Sequence, residues 1–139
     1  MTALDTNVII ALWDKNSSLS LAAQNALETA FNRGTLVAAA LVFAELIAAP
    51  GRTEPFVGSF FEETGVAVDW ELGERVWRSA GRAFQAYAKR RRKQRDTGIR
   101  RIPVGFLIGA HAVVNGFRLL TLDDRLHQVS FPTLVIETF

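Results

Sequence analysis

Five short runs punctuate the sequence: Thr2 to Leu4, Thr35 to Ala39, Val66 to Val68, Arg118 to Thr121 and Thr133 to Ile136. They read as continuous apolar stretches and do not alternate with polar residues, the pattern expected when helices cover both faces of a sheet. Segments with helical spacing separate them. Leu19, Ala22, Ala23, Ala26, Leu27, Ala30 and Phe31 recur on one face, with Ser17 or Ser18 as N-cap and Gly34 as the stop. Leu41 to Ala49 reads as a helix ended by Pro50-Gly51, and Glu54 to Glu63 as another, closed by Gly65. Leu72, Val76, Ala80, Ala83, Phe84 and Tyr87 mark a longer helix, which Thr97-Gly98 breaks. Pro103 suits the first turn of the next helix, which carries Phe106, Leu107, Ile108, Ala110 and Val113 and stops near Asn115-Gly116. Strands alternating with helices over connections of this length predict an α/β three-layer sandwich with a mostly parallel sheet.

The 139 residues are the size of one domain and contain 49% hydrophobic residues, enough for a core without staples. There is no cysteine, which excludes a disulfide scaffold, a thiolate zinc site and a cysteine nucleophile, and suits a reducing cytoplasm. The longest apolar run, Leu36 to Ala44, is far short of the roughly 20 residues of a membrane span. Asp5 stands where a secretory signal would carry positive charge, which argues against export.

The net charge of +2 hides a segregation. Lys89, Arg90, Arg91, Arg92, Lys93, Arg95, Arg100 and Arg101 crowd into one strip with a single acid, Asp96, for a local charge of +7. The remainder of the chain carries −5. A helix C-terminus accounts for two or three such cations, so the excess points to a polyanionic partner such as RNA.

Ligands of parallel sheets collect at the carboxyl ends of strands, near a switch in strand order. Asp5 and Asp123 fall at such ends. Glu45 is the only charged residue between Arg33 and Arg52 and lies in the apolar sequence Leu41 to Ile47. Singly, each has a structural explanation: Asp5 and Asp123 can cap the helices that follow, and Glu45 can point outward or pair with a buried arginine. Together they would form an oxygen-rich site suited to Mg²⁺ or Mn²⁺, able to activate water for attack on a phosphodiester. The basic strip would then hold the nucleic-acid backbone.

Four motifs in order carry a resemblance. Leu4-Asp5-Thr6-Asn7-Val8-Ile9-Ile10 resembles the opening motif of PIN-domain ribonucleases, and Val42-Phe43-Ala44-Glu45-Leu46 their second acidic motif. Phe106-Leu107-Ile108-Gly109-Ala110-His111-Ala112 and Leu119-Leu120-Thr121-Leu122-Asp123 resemble the third and fourth. The sequence is most similar to VapC-type toxins of toxin–antitoxin pairs. The resemblance implies an endoribonuclease dependent on Mg²⁺ or Mn²⁺, acting on tRNA or other structured RNA and silenced by a cognate antitoxin. It also implies a homodimer. It assigns Asp5, Glu45 and Asp123 as catalytic, metal-binding acids, Thr121 as polar support and Asn7 as a weaker candidate. The Thr-x-Asp spacing favours Asp123 over its neighbour Asp124. Lys89, Arg90, Arg91, Arg92, Lys93 and Arg95 are the candidate RNA contacts.

Gly105 departs from the family pattern, which places an acid immediately before the third motif. Glycine in the first turn of a helix costs about 1 kcal/mol relative to alanine. Either Gly105 and Gly109 form a small face on which another element lies, or a metal ligand is missing and activity is reduced. A non-catalytic RNA- or antitoxin-binding module with the same fold is the alternative reading. A phosphatase using Asp5 as nucleophile is disfavoured, because Asn7 stands where a second acid would be needed. His111 reads as a packed helix residue, and His127 has no partner at ligand spacing. Trp13, Trp70 and Trp77 are candidates to line a partner groove.

Overall fold

A computed structural model describes residues 1–91 and 101–139. Of the basic strip, Arg92, Lys93, Arg95 and Arg100 lie outside the described residues, as does the expected break at Thr97-Gly98.

The elements run β1 (Thr2–Leu4), α1 (Thr6–Trp13), α2 (Leu19–Arg33), β2 (Leu36–Ala39), α3 (Ala40–Ala48), α4 (Glu54–Thr64), β3 (Ala67–Asp69), α5 (Glu74–Arg90), α6 (Val104–Val114), β4 (Arg118–Leu120), α7 (Asp124–Ser130) and β5 (Ile136–Glu137). All four pairings among these strands are parallel, in the order β3-β2-β1-β4-β5. Ala3 registers with Val37 on one side and Leu119 on the other. This is the expected three-layer α/β/α sandwich with a parallel central sheet.

Burial explains the element choices. Thr2–Leu4 and Leu36–Ala39 are buried at every position, as continuous apolar central strands should be. Helix α6 is buried without a break from Phe106 to Ala112, because it packs against α5, α3, α7 and β4. Helix α5 is instead amphipathic, burying Val76 and Ala80 and leaving its basic face in water. Gly65 ends α4 in the left-handed conformation (φ 72°), where a side chain would be strained.

Several boundaries move from their expected places. Pro103 occupies the N-cap of α6, one residue before its first turn. The last strand is confined to Ile136–Glu137, because the stretch from Phe131 to Leu134 turns back and hydrogen-bonds locally. Strand β3 starts at Ala67 and takes in Asp69. Helix α1 follows β1 after a single residue although its sequence, Thr-Asn-Val-Ile-Ile, has strand-like composition; burial of Val8, Ile9 and Ala11 overrides that propensity. Among the described residues no helix is long and apolar enough to cross a membrane.

Candidate active site

The strand order reverses direction at β1: the chain builds outward through β2 and β3, then returns to lay β4 on the other side. Crevices open at such a switch, beyond the carboxyl ends of the two strands. Asp5 follows β1 directly and Thr121 follows β4, and the Asp5 N–H donates to the Leu120 carbonyl at 3.0 Å. Thr121 and Asp5 are thereby held side by side at the centre of the sheet.

Asp5, Asn7, Glu45, Gly105 and Asp123 line one cleft of about 530 Å³ in this position. The fold thus brings together all three expected acids and the glycine that replaces the fourth. Neither aspartate behaves as a helix cap. Both occupy N-cap positions, of α1 and α7 respectively, but neither side chain makes a capping hydrogen bond. The positive ends of two helix dipoles therefore face the cleft and favour negative charge there. Glu45 does not point freely outward, and among the described residues it meets no arginine. It accepts a 2.6 Å hydrogen bond from the Thr6 hydroxyl at Oε1.

A polar chain orients Asp5. The Asp123 N–H donates to Thr121 Oγ1 at 2.9 Å, so the hydroxyl proton is free to donate to Asp5 Oδ2, 2.8 Å away. Both Thr121 and Asp5 are buried. Asn7 Oδ1 accepts from the Leu122 N–H at 3.1 Å, so Asn7 fastens α1 to the loop after β4 and leaves its Oδ1 committed.

The residue missed by spacing is His127. Its Nε2 lies 3.3 Å from the same Asp5 Oδ2, and the ring is buried. Sequence spacing gives His127 no partner because the two residues are 122 positions apart, and only the docking of α7 brings them together. Its Nδ1 has no partner among the described residues, which places the ring proton on Nε2, facing the carboxylate. His111 conforms to expectation: buried in α6, it bonds Asp69 Oδ2 through Nε2 at 2.9 Å.

The small-face explanation holds for one glycine and fails for the other. A Cβ on Gly109 would stand 2.5 Å from the Phe131 ring and 2.9 Å from His127 Nδ1, so the bare backbone is what lets α7 seat His127. A Cβ on Gly105 would meet only Leu126, at 3.5 Å, an ordinary contact. Packing does not require glycine at 105.

Asp5 Oδ1, Glu45 Oε2 and both Asp123 carboxylate oxygens make no hydrogen bond among the described residues. This hard-oxygen donor set fits Mg²⁺ or Mn²⁺ in chemistry. It does not form a closed cage, since among the described residues no three His, Asp or Glu side chains are grouped closely enough to share one ion. The expected three-acid cluster is therefore a shared cleft wall, which Gly105 also lines.

Arg90 and Arg91 stand at the C-terminal end of α5, and Arg91 lies over the Tyr87 ring at 5.0 Å. Lys89 is in the last turn of the same helix. Of the three tryptophans, Trp13 packs edge-on against Phe56 and Phe60, whereas Trp70 and Trp77 are exposed.

Comparison with known proteins is consistent with this geometry. The family model for the PIN domain matches residues 2–132. No curated protein sequence matches the chain. Among solved structures, the fold is similar to VapBC-1 from nontypeable Haemophilus influenzae (TM-score 0.70, 19% identity, covering 99% of this chain and 96% of that one). It is also similar to VapBC2 from Rickettsia felis bound to a promoter DNA fragment (TM-score 0.68, 17% identity, 99% and 97%). FitAcB from Neisseria gonorrhoeae is a third (TM-score 0.60, 19% identity, 98% and 96%).

Proposed function

Because the chain belongs to the PIN-domain family, we propose that it is a VapC-type endoribonuclease dependent on a divalent cation. Acting as a single domain in the cytoplasm, it would cleave tRNA or other structured RNA and be held silent by a cognate antitoxin, itself forming a homodimer. The observation that carries this reading is the cleft at the β1–β4 switch, where Asp5, Glu45 and Asp123 come together without side-chain capping bonds or, among the described residues, a lysine or arginine partner. The similarity to VapBC assemblies supports the antitoxin partner.

In the mechanism, Asp5, Glu45 and Asp123 would supply oxygen donors to a cation in the cleft, drawing closer on binding than in the free chain, where among the described residues no three are within reach of one ion. When bound, Mg²⁺ or Mn²⁺ acidifies water and offsets the charge that builds on the phosphodiester in the transition state. Thr121 and His127 fix Asp5 by donating to one oxygen, Oδ2, so that Oδ1 is the free donor. Thr6 does the same for Glu45, occupying Oε1 and leaving Oε2. Asp5 and Glu45 thus enter the cleft with their rotamers already set, which lowers the ordering cost of binding. Cations at the end of α5 would neutralise the backbone of the incoming RNA.

Gly105 favours a second reading at one point. The open cage and the missing acid suit a chain that retains RNA or antitoxin binding while its cleavage is weakened or lost. One experiment separates the readings. Purified chain is incubated with labelled tRNA in Mn²⁺, in Mg²⁺ and in excess EDTA, beside an Asp5→Asn variant. Cleavage that requires the cation and disappears with Asp5→Asn supports the nuclease. A shifted, intact RNA in all lanes supports the binding module.

A further inference from the structure

A second groove adjoins the acidic cleft. About 470 Å³ in volume, it is lined by Tyr87, Arg90 and Arg91 from α5 and by Arg125 and Ser130 from α7, and Asp123 lines both it and the cleft. Three guanidinium groups therefore border a groove whose one acidic wall residue belongs to the neighbouring site. Among the described residues none of the three arginines has a carboxylate partner. Arg91 is stacked on Tyr87, which limits its freedom and presents the planar fork with little further ordering.

Ser130 supplies an independent observation. Its Oγ is buried and makes no hydrogen bond among the described residues. A serine near a helix C-terminus ordinarily back-bonds to a carbonyl one turn earlier, and an unpaired buried hydroxyl needs an explanation. A turn about χ1 toward the groove that Ser130 lines would give the hydroxyl an acceptor supplied by a ligand.

Building on the nuclease reading above, we propose that this groove is a phosphate subsite for the RNA backbone. It takes the phosphodiester adjoining the one placed over the acids, with Arg90, Arg91 and Arg125 as its cations and Ser130 as its neutral donor. Three features select a phosphodiester. The charge is concentrated in forked guanidiniums, the geometry that pairs with phosphate oxygens. The hydroxyl donor suits the same oxygens. The groove also shares a wall residue, Asp123, with the acidic cleft, so a single strand would reach both. The arginines would then offset the repulsion between Asp123 and the strand. Arg125 is the informative member, because it stands apart from the basic strip on a different helix.

The test measures affinity of the full chain for a fluorescent single-stranded oligouridylate across a salt series in EDTA, where no cleavage intervenes. Each lost phosphate contact lowers the slope of log affinity against log salt by about 0.7. Arg125→Gln should show that fall, and Arg125→Lys should retain most of the slope. Ser130→Ala removes an atom without a partner in the free chain, so folding is spared. It should weaken binding by about tenfold, the scale of a hydrogen bond to a charged group, with the slope unchanged. Arg78→Gln, earlier on α5 and outside the groove, should match the parent. Binding by the parent with Arg125→Gln and Ser130→Ala both silent overturns the subsite alone, and would give the groove to another partner such as an acidic protein segment. Equal losses for Arg78→Gln and Arg125→Gln overturn it too, because the attraction would then be general. A parent that binds no RNA at any salt overturns the RNA reading and the subsite with it.

Discussion

Gly105 and His127 together define what single residues contribute to this cleft. Position 105 has space for a side chain, lies in the first turn of α6 and faces three acids. An aspartate there would gain from the helix dipole and complete the donor set. Gly105→Asp is expected to raise Mn²⁺ affinity by at least about tenfold, the scale on which even outer-shell partners change metal binding. Calorimetric titration of Mn²⁺ would check it, and unchanged affinity would return Gly105 to the status of a harmless substitution. His127 acts through Asp5. Replacing it with leucine leaves Asp5 Oδ2 with one donor and should cost roughly 1–3 kcal/mol in urea unfolding. His127→Gln, which keeps an N–H donor, should recover most of that and also the Mn²⁺ affinity. Equal losses in both variants would make His127 a packing residue only. The acids themselves were legible in the sequence because a carboxylate at a strand end or in an apolar helix stands out against its neighbours. His127 was not, since an imidazole in a polar helix has nothing local to distinguish it.

At the level of elements, α7 does more than its seven residues suggest. It seats His127 under Asp5, lines the arginine groove with Arg125 and Ser130, and rests its Phe131 end on Gly109 of α6. The α6–α7 contact depends on that glycine. Gly109→Ala forces a methyl group within 3 Å of both rings and should destabilise the fold by about 1–3 kcal/mol. A thermal melt unchanged from the parent would show that α7 can move aside freely. Gly109 lies within the third motif and Gly105 just before it, and sequence reading could not separate them. Packing partners of a helix face are set by which element crosses it, and that crossing is absent from local spacing. The long amphipathic α5 was legible for the opposite reason, since its period is internal to the segment. Short α1 was obscured by β-branched residues whose preference tertiary burial overrules.

Across the whole molecule, the parallel order β3-β2-β1-β4-β5 fixes where chemistry can occur; continuous apolar runs announced a parallel sheet but not its order. What they left open was the edge. Strand β5 is only two residues long and is secured by Glu137, whose carboxylate takes Arg33 and Arg118 from either side. The hydrogen bond from Arg33 is the main cause that holds the Glu137 pKa below its ordinary value. A carboxylate with a depressed folded pKa stabilises the fold fully above its unfolded pKa, near 4.5, and loses that contribution as pH falls through the lower folded value. The stability difference between the parent and Glu137→Gln should therefore be level above about pH 5 and shrink below it. Solvent screening of this partly exposed cluster keeps it under about 1 kcal/mol. A difference that persists unchanged at pH 2 would rule out the ion pair as its source.

The bond between Thr121 and Asp5 spans 116 residues of sequence, and that of His127 spans 122. A chain still emerging from the ribosome carries Asp5 and Glu45 long before it carries the strand and helix that aim them. Its first acid has no fixed rotamer, no neighbouring Asp123 and no cleft until β4 and α7 are synthesised. A nuclease of the kind proposed above would thereby be unarmed early in its own translation, and would become competent only once β4 and α7 have emerged and docked.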